Sequence, residues 1–356
     1  MSRFYSLRIA DLRKETDDCA VITFDVPDDC REAFTYRQGQ YLTLKANIDG
    51  HDVRRSYSLC SSPLENKWTV AVKKLEGGLF STFANTQLRK GDVLEVMPPN
   101  GHFYVDIAPE KANHYAAFAA GSGITPILSI LKTHLASEPN SKFKLFYLNR
   151  NVKSILFKEE IEALKNRYFD RLEVFYFLTK EFRDIPLFNG RFTEEKLDTI
   201  CSRIVDVAKT EAAFICGPES MIFMVRDALE KAGMEKQKIH FELFNTSGTR
   251  NNEAARKISE KQVEGTDVTI IDGGKEFHFT MSKEFDNILD AALSAGADLP
   301  FACKGGVCST CRCKVVEGTA EMKINYALEE ADVARNFVLS CQAVPTSAKL
   351  VVDFDV

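Results

Sequence analysis

A chain of 356 residues and 40.0 kDa is too long for one ordinary domain, and its 45% hydrophobic and 27% charged residues exclude a disordered polypeptide. The formal net charge of -5 is uneven: residues 266–356 hold fourteen Asp and Glu against eight Lys and Arg, a formal -6, which leaves +1 for residues 1–265. Acidity gathered at the C-terminal end fits docking on a basic patch, or a solvated face, and argues against nucleic acid as the main partner.

The opening stretch, MSRFYSLRIADLRKETDD, mixes charge too closely into its apolar residues for a secretory signal, and no run of about 18 apolar residues follows to cross a membrane. The expected location is the cytoplasm. In that reducing compartment ten cysteines make a poor disulfide framework, so cysteines at regular spacing read as metal-binding or redox-active.

Residues 1–107 read as short strands between turns: YLTLKANI, SYSL, WTVAVKKL and DVLEVMPP, the pattern of a small antiparallel β-barrel. Within it, Arg54-Arg55-Ser56-Tyr57-Ser58-Leu59 sets a guanidinium, suited to bidentate phosphate binding, beside an aromatic face suited to a flat ring. A Tyr in a strand is more often core, so four residues alone are weak. Further on, Val72-Lys73 ends a strand, and Glu76-Gly77-Gly78-Leu79-Phe80-Ser81-Thr82 is a glycine turn opening a helix, where free N–H groups and Ser81 can hold phosphate.

Residues 108–246 change rhythm. The buried runs YAAFAA, FKLFYL, LEVFYFL, AAFIC and IHFELF alternate with amphipathic stretches, which predicts βαβ units on a parallel sheet. The first run leads into Gly121-Ser122-Gly123-Ile124-Thr125-Pro126, a strand, glycine turn and helix with proline in its first turn, the context of a pyrophosphate cradle. Cys216-Gly217-Pro218-Glu219-Ser220-Met221 follows another buried strand, and the plain reading of Cys216 is a small buried residue. Asn149-Arg150 ends the second run, where an adenosine ribose would lie, and Arg150 with Lys153 would meet a 2′-phosphate, favouring NADPH over NADH; exposed Arg and Lys at a helix start are otherwise simply solvated.

Residues 247–265 are polar and charged without aliphatic periodicity, as expected of a linker. In residues 266–356, VTIIDGGKEFHFTM predicts a hairpin turning at Asp272-Gly273-Gly274, followed by a helix over ILDAALSAGA and a cysteine-rich loop. That loop places Cys303, Cys308 and Cys311 at C-x4-C-x2-C spacing, with Cys341 as a fourth thiol, the plant-type [2Fe-2S] pattern. Gly305 and Gly306 let the backbone wrap closely and turn N–H groups toward the sulfurs. A structural zinc site is the alternative, but no second CxxC pair or His lies nearby. Cys313 reads as packing in the strand that follows.

The RxYS and CGP motifs resemble the ferredoxin-NADP reductase superfamily. That resemblance implies that Arg55, Ser56, Tyr57 and Ser58, with Val72, Lys73, Gly78, Phe80 and Ser81, bind FAD. Arg55 would pair with the pyrophosphate, Tyr57 pack on the isoalloxazine and Ser58 approach its N5 edge. It implies likewise that Gly121, Gly123, Thr125, Pro126, Cys216, Gly217, Pro218 and Met221 seat the nucleotide, Cys216 beside the nicotinamide. Ser58, Cys216 and Glu242 are the expected catalytic groups, and Phe244 is a further candidate next to the flavin.

Over nearly its whole length the chain is similar to the reductase subunits of bacterial phenylacetyl-CoA epoxidases, multicomponent monooxygenases of phenylacetate degradation. The similarity is carried by GQYLTLKA, RRSYS, AAGSGITPIL, FICGPESM, FNTSGTR, ILDAALSAGADLPFACKGGVCSTCRCKV and LSCQA. It implies FAD, NADPH, one [2Fe-2S] cluster in an α+β β-grasp domain, and a di-iron oxygenase partner. Reductases of other oxygenases or of a hybrid-cluster protein share this domain order, and a redox carrier or sensor is the non-enzymatic alternative.

Overall fold

The computed structural model describes residues 4–244 and 253–356, and they form two compact units. The first, Tyr5–Phe244, begins with strands β1 (Tyr5–Thr16), β2 (Cys19–Asp25), β3 (Tyr41–Ile48), β4 (His51–Ser58) and β5 (Trp68–Lys73), then helix α1 (Leu79–Thr86) and β6 (Val93–Asn100). All pairings are antiparallel, in the order β4-β3-β6-β1-β2-β5, and a bridge between Leu59 and Val70 closes the ends into a barrel. The barrel core includes Ile9, Ile22, Leu42, Leu44, Val70 and Val96, with α1 contributing Phe80 and Ala84.

The same unit continues with β7 (His114–Ala120), α2 (Ile124–Ser137), β8 (Lys142–Asn149), α3 (Lys158–Arg167), β9 (Leu172–Leu178), α4 (Glu194–Arg203), β10 (Thr210–Gly217), α5 (Glu219–Lys231) and β11 (Ile239–Leu243). Its five strands run parallel in the order β11-β10-β7-β8-β9, so each of the five apolar runs expected to be a strand is one. The order reverses at β7, and in such sheets ligands bind beyond the strands' C-terminal ends at the switch point.

A buried polar network joins this sheet to the barrel. Glu138, at the end of α2, accepts the Ala108 N–H at 3.0 Å and the Tyr115 hydroxyl at 3.0 Å, and its Oε1 lies 2.9 Å from His134 Nδ1. Gln38 of the barrel donates to the Val105 carbonyl at 2.9 Å and approaches His134 Nε2 at 3.4 Å. Burial acts to raise the Glu138 pKa, but hydrogen bonds from His134, Ser141 and Ala108 outweigh it and hold the carboxyl near about 2. A buried charge satisfied this fully fixes the two layers in one arrangement.

The second unit contains α6 (Glu253–Glu260), β12 (Thr266–Asp272), β13 (Lys275–Met281), α7 (Ile288–Ser294), β14 (Arg312–Glu317), β15 (Ala320–Met322), α8 (Glu330–Ala334), β16 (Phe337–Leu339), β17 (Ala343–Pro345) and β18 (Lys349–Asp353). A mixed sheet in the order β13-β12-β18-β14-β16 packs with α7 around Val268, Ile270, Leu289, Ala292, Val315 and Val352, an α+β grasp. The predicted hairpin turn is present: Gly273 and Gly274 take φ of 61° and 68°, and their N–H groups donate to Asp355 at 2.7 and 2.8 Å.

One expectation needs correction. Of the stretch 247–265 expected as a linker, 247–252 lies outside the described residues, but 253–265 is ordered against the second unit. Residues 253–260 form α6, Lys261 pairs with Glu321 at 2.7 Å, Val263 N–H bonds the Pro345 carbonyl, and Gln262 is buried. The ties that follow α6 are polar, and polar ties leave no aliphatic pattern in the sequence.

Candidate functional site

β4 carries the flavin motif. Val53 and Arg54 are buried while Arg55 is exposed, with one guanidinium bond to the Arg54 carbonyl at 2.7 Å and no carboxylate partner among the described residues. Arg54 is instead buried and pairs with Asp52 at 3.0 Å, so the two adjacent arginines differ: one is structural, the other has free donors for an anion. Tyr57 is half-buried with Phe80 of α1 behind it, ring centroids 5.5 Å apart, which stiffens an aromatic platform. The Ser56 hydroxyl is taken by Thr43 across the β3–β4 pair at 3.1 Å.

The glycine turn before α1 is held from within. Ser81 Oγ accepts the Leu75 N–H at 3.1 Å and donates to the Gly78 carbonyl at 3.3 Å, and a Cβ on Gly78 would stand 2.5 Å from Ser81 Oγ. The structure therefore uses Ser81 to shape the turn. Val72 is fully buried in the barrel core, its carbonyl accepting from Asn85 at 2.8 Å, and Lys73 pairs with Asp18 at 3.6 Å.

On the parallel sheet, register places Ala119, Cys216 and Glu242 in one row across the C-terminal ends of β7, β10 and β11. Glu242 reaches the barrel: its Oε2 accepts from Ser58 Oγ at 2.8 Å, a bond spanning 184 residues of sequence. Burial pushes the Glu242 carboxyl up to about 7, a rise the Ser58 bond partly opposes. Burial, reinforced by nearby Glu242, keeps the Cys216 thiol protonated well above its ordinary range. Cys216 therefore offers shape and a soft contact, not a thiolate. Phe244 is partly exposed just beyond β11.

The loop after β7 is packed to its limit. A Cβ on Gly123 would lie 2.2 Å from the Cys216 carbonyl oxygen, and one on Gly217 would lie 2.7 Å from Met221 Cε and 3.0 Å from Ala120 Cβ. Only glycine lets these two loops touch. Gly121, with φ 53°, faces open space instead, as a cradle for a ligand requires. Thr125 and Pro126 are buried in the first turn of α2, the Thr125 hydroxyl donating to the Ser122 carbonyl at 3.0 Å, and Pro218 leads into α5 as its exposed cap. Beyond β8, Arg150 and Lys153 are exposed and without ion-pair partners, and Asn149 Nδ2 is buried without a hydrogen-bond partner, among the described residues. Lys180, which sequence reasoning missed, sits beside them: its N–H donates to the Arg150 carbonyl at 2.7 Å. Unpaired cations and a leftover buried amide donor fit an anionic, hydroxyl-bearing nucleotide.

In the second unit the four spaced cysteines lie on one loop and the segment after β16. Their thiols neighbour one another in two pairs, Cys303 with Cys308 and Cys311 with Cys341. No three His, Cys, Asp or Glu side chains converge around a single ion among the described residues. Two pairs of thiols suit two irons that each take two protein ligands. The Gly305 N–H donates to Cys303 Sγ at 3.3 Å and the Gln342 amide approaches Cys341 Sγ at 3.8 Å. Hydrogen bonding, first from Cys308 and then from backbone, lowers the Cys303 thiol to about 6 against the opposing effect of burial. Gly306, at φ 74°, has Gln342 and the Ile324 carbonyl 3.1 Å from where a Cβ would stand. Cys313 is wholly buried in the sheet core.

Three family models match in succession: an oxidoreductase FAD-binding domain over residues 6–104, an oxidoreductase NAD-binding domain over 118–227 and a 2Fe-2S iron-sulfur cluster binding domain over 270–346. The chain is 44% identical, over its full length and 99% of the relative's, to one of the subunits of the 1,2-phenylacetyl-CoA epoxidase of Escherichia coli K12. The chain belongs to the ferredoxin-NADP reductase superfamily, in the branch with a C-terminal [2Fe-2S] ferredoxin domain. A second member, the ferredoxin reductase component of a 3-ketosteroid-9-alpha-monooxygenase from Rhodococcus rhodochrous, is 34% identical over 99% of this chain and 97% of its own. Among solved structures, phthalate dioxygenase reductase shares the fold with a TM-score of 0.61 and 22% identity, over 99% of this chain and 98% of that one.

This reductase is thus an oxidoreductase with FAD, nicotinamide nucleotide and [2Fe-2S] cluster as its cofactors. No helix among the described residues is long and apolar enough to cross a membrane.

Proposed function

We propose that this reductase takes hydride from NADPH and delivers electrons singly to the di-iron oxygenase of a phenylacetyl-CoA epoxidase, in the cytoplasm. The observation that carries the reading is the 44% identity with the epoxidase polypeptide of Escherichia coli, which runs through all three domains without a gap in coverage. The 34% identity with a steroid monooxygenase reductase supports a second reading, the same electron delivery to a different oxygenase.

When bound, FAD converts a two-electron hydride into single electrons and the cluster carries them one at a time. The chain's own residues supply position and electrostatics. Arg55, with free guanidinium donors, would hold the flavin pyrophosphate, assisted by the first-turn N–H groups of α1 beyond Gly78. Tyr57 over Phe80 would carry the flat ring. Ser58 and Glu242 form a hydrogen-bonded couple at the place where the two layers meet, and with a carboxyl near about 7 the couple can take up or release a proton at Glu242 near neutral pH. The Gly121–Thr125 turn and the Cys216–Met221 loop would seat the nucleotide, with Arg150, Lys153 and Lys180 meeting a 2′-phosphate. Cys303, Cys308, Cys311 and Cys341 would hold the cluster.

The domains in this reading are a FAD-binding barrel over 1–107, a nucleotide domain over 108–246 and a ferredoxin domain from 266, to which α6 and the segment to 265 are added. The acidity of residues 266–356 supports docking of the oxygenase on that domain. The test is reconstitution: NADPH, the reductase, a phenylacetyl-CoA epoxidase oxygenase component and phenylacetyl-CoA should give oxygenated product in proportion to NADPH consumed. NADPH consumption without product, alongside coupled turnover with a steroid oxygenase, would select the second reading.

A further inference from the structure

A hydrogen-bonded chain runs from the barrel to the glycine loop. Tyr147 of β8 is fully buried, and its hydroxyl donates to the Gly121 carbonyl at 3.0 Å with the Leu156 carbonyl 3.5 Å from the same oxygen. Gly121 is the left-handed residue that opens the turn after β7. Leu156 ends the segment that carries Arg150 and Lys153, and the next residue, Phe157, is buried in a left-handed conformation, φ 56° and ψ 28°. A bulky residue holds that conformation only where its surroundings impose it. Here the imposing group comes from the barrel: Glu15, near the end of β1, accepts the Phe157 N–H on Oε1 at 2.9 Å across 142 residues of sequence, while its other oxygen pairs with Arg13. A second tie fixes the segment's middle, where the Val152 N–H donates to Glu181 at 2.8 Å.

None of these side chains belongs to the residues assigned above to holding nucleotide, yet together they set where the pyrophosphate turn and the 2′-phosphate segment stand relative to the flavin barrel. We propose that Tyr147 and Glu15 are positioning residues for the nicotinamide nucleotide, Tyr147 by fixing the Gly121 carbonyl and Glu15 by pinning the Arg150–Leu156 segment to the barrel. The inference rests on the reading of the Gly121–Thr125 turn as the pyrophosphate seat. A turn whose carbonyl is tied back presents its N–H groups outward in one arrangement, so affinity depends on the tie although the tie never touches the ligand.

The test uses the purified holoprotein with ferricyanide as acceptor, measuring KM and kcat for NADPH and NADH together with flavin and cluster content. Tyr147→Phe removes one oxygen. It should raise KM for both nucleotides by the same factor, about tenfold, with kcat within about twofold and cofactor content unchanged. Glu15→Ala should raise KM for NADPH more than for NADH, because the segment it pins carries Arg150 and Lys153, and Glu15→Gln, which keeps an acceptor oxygen, should return both close to wild type. A purely structural role would instead lower flavin content or the melting temperature with KM unmoved. Unchanged KM values in Tyr147→Phe, or a rise in that variant confined to NADPH, overturn the inference. Gly121→Ala separates the two failures: if it raises KM while Tyr147→Phe does not, the seat stands and the tie falls. If neither moves KM, the assignment of the seat falls as well.

Discussion

The two units build their chemistry in opposite ways. In the second, three of the four candidate cluster ligands, Cys303, Cys308 and Cys311, come from one loop of nine residues and only Cys341 from elsewhere. In the first, the site is assembled at a distance: Ser58 and Glu242 meet across 184 residues, and Glu15 and Phe157 across 142. A loop that wraps a cofactor needs its ligands at fixed sequence spacing, whereas a site at a junction of layers needs only fixed positions in space. The first kind is sensitive to single ligands, and the second shares its work among many residues.

That contrast is sharpest under substitution. Cys311→Ser should lower cytochrome c reduction by on the order of 100-fold or more while leaving most of the NADPH-driven ferricyanide reduction at the flavin, because one lost ligand disables the cluster and nothing in the first unit. Full retention of cytochrome c activity would remove the cluster from the route. In the first unit, Arg150→Ala should raise KM for NADPH by about tenfold and for NADH by much less, since one charge-assisted phosphate contact is lost among several. Equal effects on both nucleotides would take Arg150 out of the 2′-phosphate site.

The smallest expected effect concerns pH. The Glu242 carboxyl, held near about 7 against an ordinary 4.5, favours the neutral form in the folded protein. Its stabilising contribution is therefore complete below about pH 4.5 and is lost as pH rises through 7. Glu242→Gln should flatten the fall of unfolding free energy between pH 5 and 8, by on the order of 1 kcal/mol for each pH unit crossed at most. Parallel free-energy profiles for the two proteins over that range would deny the carboxyl its raised pKa.

The same contrast decides what could be read from sequence. The cysteine loop was legible because chemistry fixes its spacing, and the five parallel strands because sheets covered on both faces demand continuous apolar runs. The barrel was legible as a class, but β1 and β2 were not individually picked out; in β1, YSLRIADLRKET, charge interrupts the apolar residues. Helix α6 was also not picked out, being short and rich in charged residues. Arg55, Ser58 and Glu242 were each chosen from motif or position, but the hydrogen bond between the last two is tertiary. Ser81, Val72 and Lys73 show the opposite limit. A motif names residues without their side-chain partners, and here Ser81 closes the turn, Val72 packs the core and Lys73 pairs with Asp18.

Electrons in this reading pass in a fixed order, nucleotide to flavin to cluster to acceptor, and anaerobic rapid mixing with NADPH tests that order most directly. The flavin absorbance should bleach first at a rate that depends on NADPH concentration, followed by cluster bleaching at a rate that does not. Cluster reduction that precedes flavin reduction, or that persists in protein stripped of flavin, would contradict it.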